Sequence, residues 1–212
     1  GGSSNTSYDV LYTTSGTCSS SSVETVISLT TDNPSFIMVA GCDGGTANIT
    51  GTLGGAFSFS IPPVDAAIID PVTGIVIDAA PGVSYPILYI TNGVCPSSSI
   101  DTLTVLNIDD ASFTMSGSCN GGTANVTGLA GGTFTFSEPP LDAAIIDPVT
   151  GTVSGATSGA SYDIVYTTNG TCPASSTQLL TILTQDDPSF TMTSSCDGGT
   201  ANIIGALGGT FT

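Results

Sequence analysis

The sequence contains no lysine, arginine, histidine or tryptophan among its 212 residues, against 17 acidic ones, for a formal charge of −17. Each absence excludes a class of chemistry. Without cationic side chains there is no P-loop lysine, no arginine clamp and no Schiff base. Nucleic acid is excluded as a direct partner, because neutralising its phosphates needs cations. Without histidine there is no Ser-His-Asp or Cys-His relay and no imidazole metal ligand. A Lys–Asn isopeptide staple is excluded too. Long apolar runs are also missing, and none approaches the roughly 18 consecutive apolar residues of a membrane span. No basic segment precedes an apolar stretch, so no signal peptide is expected in this sequence. A chain of this kind acts by shape, hydroxyls, amides, carboxylates or a hard cation. It is expected not to be an enzyme.

What is present is a repeat. Cys18, Cys95 and Cys172 are 77 residues apart, and so are Cys42, Cys119 and Cys196. Tyr8, Tyr85 and Tyr162 keep the same period, as do Tyr12, Tyr89 and Tyr166. Phe36, Phe113 and Phe190, Met38, Met115 and Met192, and Phe57, Phe134 and Phe211 follow it without an insertion. Such self-similarity marks an array of supersecondary units. Aromatic and methionine side chains that recur in this way read as core rather than as a ligand platform.

One period, residues 109–185, reads as seven short strands. Candidate strands are 112–118, 123–129, 133–137, 144–146, 152–154, 161–168 and 175–184. Cys119-Asn120-Gly121-Gly122 and Asp147-Pro148-Val149-Thr150-Gly151 carry turn chemistry between them, and Asn169-Gly170 is a hairpin signal. Strand-favouring residues with turns every 8–12 positions and no helical period predict an all-β chain. The expected architecture is a tandem array of small Ig-like antiparallel β-sandwiches with a 77-residue period. The expected divisions are 1–31 (C-terminal part of a repeat), 32–108 and 109–185 (complete repeats), and 186–212 (N-terminal part of a repeat). The two part-repeats together match a whole one except for the counterpart of 136–154.

Pro139-Pro140-Leu141, Ile146 to Gly155 and Ser161 to Tyr166 resemble the bacterial Ig-like repeats of giant surface proteins. Cys119 to Gly122 and Asn169 to Pro173 resemble elements of tandem repeats in Bacteroidota adhesins and gliding-type surface proteins. The resemblance covers the whole period. It implies an extracellular or cell-surface tandem array, serving as stalk, fibre or adhesin. The total lack of basic residues departs from the pattern.

Six cysteines in matched pairs, in a chain that reads as secreted, suggest disulfides. Spacing leaves the pairing open. Pairs 53 apart (Cys42–Cys95, Cys119–Cys172) lie within a repeat. Pairs 24 apart (Cys18–Cys42, Cys95–Cys119, Cys172–Cys196) span a junction, and longer links between neighbours are the third scheme. The resemblance favours the within-repeat pairs, with Cys18 and Cys196 bonding a neighbouring unit. A simple Ig topology opposes them, because the first turn and last hairpin would lie at opposite ends. Asp109, Asp110, Asp186 and Asp187 sit at repeat junctions. They are candidate calcium ligands, since calcium takes six to eight oxygens; the plainer reading is that Asp favours turns by bonding its own backbone. No other cofactor is implied. Sequons occur at Asn5, Asn48, Asn125 and Asn169. The partner expected is self, by head-to-tail filament assembly or as continuation of a longer chain. Adhesion, by repeats that bind glycan or protein, is the alternative function.

Overall fold

The computed structural model describes residues 3–212, and every regular element in that range is a β-strand. The chain divides into two compact units, residues 1–108 and 109–212. Each holds one complete seven-stranded repeat and one two-stranded hairpin.

In the first unit β1 (Ser7–Thr13) and β2 (Ser21–Ile27) form the hairpin. The complete repeat follows as β3 (Phe36–Ala40), β4 (Gly45–Ile49), β5 (Ala56–Phe59), β6 (Ile68–Ile69), β7 (Val76–Ile77), β8 (Ser84–Ile90) and β9 (Ser98–Thr104). One sheet has the order β3-β4-β7-β6 and the other β5-β8-β9, all antiparallel within each sheet. Lettered A to G, these are the ABED and CFG sheets of a constant-type immunoglobulin sandwich.

The second unit repeats the plan. Its strands are β10 (Phe113–Gly117), β11 (Gly121–Val126), β12 (Thr133–Phe136), β13 (Ile145–Ile146), β14 (Val153–Ser154), β15 (Ser161–Thr167) and β16 (Ser175–Thr181). The sheets are β10-β11-β14-β13 and β12-β15-β16, and β17 (Phe190–Ser195) with β18 (Gly198–Ile203) forms the hairpin.

The two cores match position for position. Phe36, Phe57, Val76, Ile87, Tyr89, Leu103 and Val105 are buried in one. Phe113, Phe134, Val153, Ile164, Tyr166, Leu180 and Ile182 are buried in the other. The period-two alternation of β8 puts Tyr85, Ile87 and Tyr89 inward, as a half-buried strand requires. Tyr85, at the start of strand F, accepts the Ala80 amide at 2.9 Å and donates to the Asp65 carboxylate, the corner that fixes the loop before this strand in immunoglobulin sandwiches. Tyr162 and Asp142 repeat it.

Two local readings need correction. Gly121 and Gly122 belong to strand β11, not to the turn, and they pair with Ser154 and Val153. A Cβ on Gly121 would stand 2.0 Å from the Val153 carbonyl oxygen, so the glycine admits β14 rather than bending the chain. The Asn169-Gly170 signal lies in a longer loop, closed by the Thr168 amide on the Ala174 carbonyl at 2.9 Å. Asp147-Pro148-Val149-Thr150-Gly151 is the tight turn expected. Asp147 accepts the Val149 and Thr150 amides, and the Gly151 amide closes onto the Asp147 carbonyl at 2.9 Å.

The chain enters and leaves each sandwich at opposite poles. At the N-terminal pole, the Asp32 amide bonds the Cys95 carbonyl and the Asn33 carbonyl accepts the Thr52 amide. At the C-terminal pole, the Leu106 amide bonds the Gly41 carbonyl and the Ala79 amide bonds that of Asp43. The second repeat has the same bonds, Asp109 to Cys172 and Leu183 to Ser118. Strand β8 runs the distance between the poles, about 23 Å for seven residues.

Candidate functional site

The acidic residues at the repeat junctions are engaged in turns. Asp109 accepts the Gly170 amide at 3.0 Å and the Thr168 hydroxyl at 2.8 Å, which ties the first residue of the repeat to its last hairpin loop. Asp32 does the same with the Gly93 amide at 2.9 Å. Asp110 accepts the Ser112 amide at 2.9 Å, and the Ser112 hydroxyl and amide hold its pKa below the usual carboxylate value. Asp187 is held down in the same way by Ser189, hydroxyl first and amide second. Asp186 is exposed. Among the described residues no group of three Asp, Glu or Cys side chains is close enough to share a cation. Asp109, Asp110 and Asp187, three of the four candidate calcium ligands, thus accept hydrogen bonds from amides and hydroxyls.

The cysteines sit at the poles. Cys42 lies in the turn after β3, at the C-terminal pole, and Cys95 in the loop after β8, at the N-terminal pole. Their counterparts Cys119 and Cys172 are placed alike in the second repeat. Within one repeat the two are therefore separated by the length of a seven-residue strand, whereas a disulfide needs Cα atoms within roughly 7 Å. The within-repeat pairs Cys42–Cys95 and Cys119–Cys172 are accordingly not formed. Cys42 and Cys172 are disulfide-bonded. Cys18, Cys95, Cys119 and Cys196 are free thiols.

An open cleft of about 450 Å³ lies beside the second repeat's tyrosine corner, between Glu138, Pro140, Leu141, Asp142, Tyr162 and Asp163. Glu138 and Asp163 give it an acidic rim. In the first repeat Ile61 and Pro86 stand in their places, so the acidic character belongs to one repeat. Asp142 is held well below the usual carboxylate range by hydrogen bonds from Thr157 and from the Tyr162 hydroxyl. Burial, then the Asp142 carboxylate, pushes Tyr162 up. Neither group changes charge near neutrality, so the pair orients the loop and does not move protons. The cleft can hold a ligand that donates hydrogen bonds to carboxylates.

The two hairpins present apolar faces that are core in the complete repeats. Tyr12 is 69% exposed while its counterpart Tyr89 is 0% exposed. Phe190 and Phe211 are 48% and 57% exposed, against 7% and 2% for Phe36 and Phe57.

No protein family matches the chain, and no curated protein matches it. Solved structures similar to it include cadherins and protocadherins. Protocadherin gamma B2 extracellular cadherin domains 3–6 has 15% identity and a TM-score of 0.32, over 85% of this chain and 60% of that one. Mouse cadherin-23 EC22–24 has 14% identity and a TM-score of 0.28, over 84% and 74%. Drosophila N-cadherin EC1–4 has 12% identity and a TM-score of 0.27, over 88% and 60%. The chain thus spans 60% of the length of the first of these.

Proposed function

We propose that the chain is the repeating part of an extracellular fibre, filament or cell-surface stalk, of the kind implied by its resemblance to bacterial Ig-like repeats. The observation that carries this reading is the build of the repeat. Asp109, the first residue of the second repeat, ties to its Gly170 amide, and each sandwich is entered and left by the chain at opposite poles.

The terminal strands of the repeat suit tension. Strands β3 and β9 both run from the N-terminal to the C-terminal pole. Ser99 donates to the Pro34 carbonyl at 2.5 Å, and the Met38 amide donates to Asp101 at 2.7 Å. A pull between the poles loads these bonds in shear, so they must break together. A chain carrying disulfide-bonded cysteines fits an oxidising, extracellular setting. Histidine, lysine and arginine, which carry much of general acid–base and electrostatic catalysis, are absent. Electron micrographs of the native material test the reading: filaments or stalks with a regular axial repeat are expected, and dispersed particles would refute it.

The cleft beside Glu138 and Asp163 favours a second reading, an adhesin repeat that binds glycan or protein. Binding to arrayed glycans, with and without calcium, that is lost in Glu138→Gln/Asp163→Asn would favour adhesion.

A further inference from the structure

The outer face of the four-stranded sheet differs between the two complete repeats. In the first, Ile37 and Val39 on β3 point away from the core and are 50% and 51% exposed. At the other side of the same sheet, Ile68, Ile75 and Ile77 are exposed to a similar degree. These three line a shallow hollow of about 370 Å³. In the second repeat the period puts Thr114, Ser116, Thr152 and Ser154 where the first has Ile37, Val39, Ile75 and Ile77. Both sandwiches have the same strand orders and matching cores. The fold therefore does not require the four aliphatic side chains, which face water at a cost. A contiguous apolar patch of this kind marks a contact surface.

The patch is also free of charge. No acidic residue belongs to β3, β4, β6 or β7, and Thr46 and Asn48 on β4 stand between the β3 ridge and the hollow. Asp70, at the rim of the hollow, accepts the Val72 and Thr73 amides of its own turn. In a chain of charge −17 without a cation, two copies repel wherever their acids meet, so an uncharged face is where they can approach. A cationic partner would be drawn to the acidic loops instead. The shape fits a second copy as well. Ridge and hollow lie on opposite sides of one face, so a two-fold axis through the middle sets each ridge against the other copy's hollow, as an isologous contact requires. We propose that this face of residues 32–108 pairs with the same face of a second copy, Ile37 and Val39 of each seated against Ile68, Ile75 and Ile77 of the other. The inference goes beyond the fibre reading and rests on this sandwich alone. Four strands about 4.8 Å apart and five residues of about 3.4 Å give a face of at most roughly 300 Å². A pair buries about twice that, well short of the roughly 1,200 Å² of a stable interface. The contact is thus weak for a single pair and is multiplied wherever several such faces lie along one array.

Sedimentation equilibrium of the full chain in reducing buffer, up to about 1 mM, tests the proposal. The unaltered chain is expected to form dimers at the upper concentrations, and more of them as salt screens the repulsion between two acidic chains. Ile37→Thr/Val39→Ser/Ile75→Thr/Ile77→Ser installs the residues of the second repeat and is expected to weaken dimerisation at least about 10-fold. Thr46→Glu leaves the aliphatic side chains alone, places a carboxylate of each copy in the middle of the contact, and is expected to have the same effect. Thr123→Glu adds the same charge at the matching position of the second repeat and is expected to leave the dimer intact. Unchanged thermal melts check that each variant is folded. An unaltered chain that is monomeric throughout would overturn the proposal. So would association that survives Thr46→Glu, that Thr123→Glu abolishes equally, or that weakens as salt rises. Regular filaments in native micrographs would in each of those cases leave the fibre reading standing without this contact.

Discussion

The same tyrosine stands in one register buried and in another bare, which allows a controlled perturbation. Tyr89→Phe keeps the ring stacked on Phe57 and removes only a hydroxyl. That hydroxyl serves the Thr52 carbonyl and the Gly55 amide, two part-buried backbone groups. Leaving such groups unsatisfied costs about 1–3 kcal/mol. Stability scales as roughly 0.05–0.15 kcal/mol per residue, so a 77-residue repeat has about 4–12 kcal/mol in total. The repeat should stay folded, with its melting temperature lowered by about 4–24 °C, given roughly 4–8 °C per kcal/mol for a domain of this size. Scanning calorimetry of the dilute chain in reducing buffer should resolve two transitions. The one from residues 32–108 moves down and the one from residues 109–185, where Tyr166 is intact, stays. Tyr12→Phe, the same change at the exposed counterpart, should leave both transitions in place. Equal shifts for Tyr12→Phe and Tyr89→Phe would refute the register-based core.

Further outcomes follow from the charge and the thiols. Hydrogen bonds lower the pKa values of Asp65, Asp70, Asp110, Asp142, Asp147 and Asp187, led by the bond from Tyr85 at Asp65 and from Thr157 at Asp142. Their contribution is fully present above the unfolded carboxylate value and is lost as pH falls through the folded values. Burial raises Tyr85 and Tyr162, so their contribution is present below the unfolded tyrosine value and is lost as pH rises through the folded values. Melting temperature against pH should therefore show a plateau from about pH 5 to 8, falling below about pH 4 and above about pH 10; a step near pH 6.5 would contradict a chain without histidine. A thiol reagent without denaturant should label Cys18, Cys95, Cys119 and Cys196, and should label Cys42 and Cys172 only after reduction. Labelling read by mass spectrometry of peptic fragments checks this, and unreduced labelling of Cys42 would refute it.

Much of the fold was legible because local rules and the period agreed. Ile164 and Tyr166 fall on one face of an alternating strand and are buried, with Tyr162 beside them. Asp147 and Gly151 fix their turn by side-chain capping and chain reversal, which are local. What was not legible depended on contacts distant in sequence. Gly121 reads as a turn until β14 is seen to approach its backbone. Cys42 and Cys95 lie at opposite poles, as the expected Ig topology required and against the pairing that the resemblance favoured. Asp110 bonds its own turn at Ser112, as the plainer reading of these residues had it, but the reach of Asp109 to the Gly170 amide follows from no spacing. The cleft beside Asp142 depends on how the Pro139-Pro140 loop lies against β15, which no spacing reveals.

The central claim is that each 77-residue repeat is a self-contained unit loaded between its poles. Single-molecule extension of the 212-residue chain, tethered at its two ends in reducing buffer, tests this most directly. Two force peaks are expected, one for each complete repeat, with no resistance from the hairpins. Each should lengthen the chain by roughly 220–250 Å, the extended length of 77 residues less the folded span. The repeat at 32–108 should yield at the higher force, because Asp101 ties it to the Met38 amide and Gln178 stands in that place in the next repeat. A single merged step, or steps that do not correspond to 77 residues, would contradict the account.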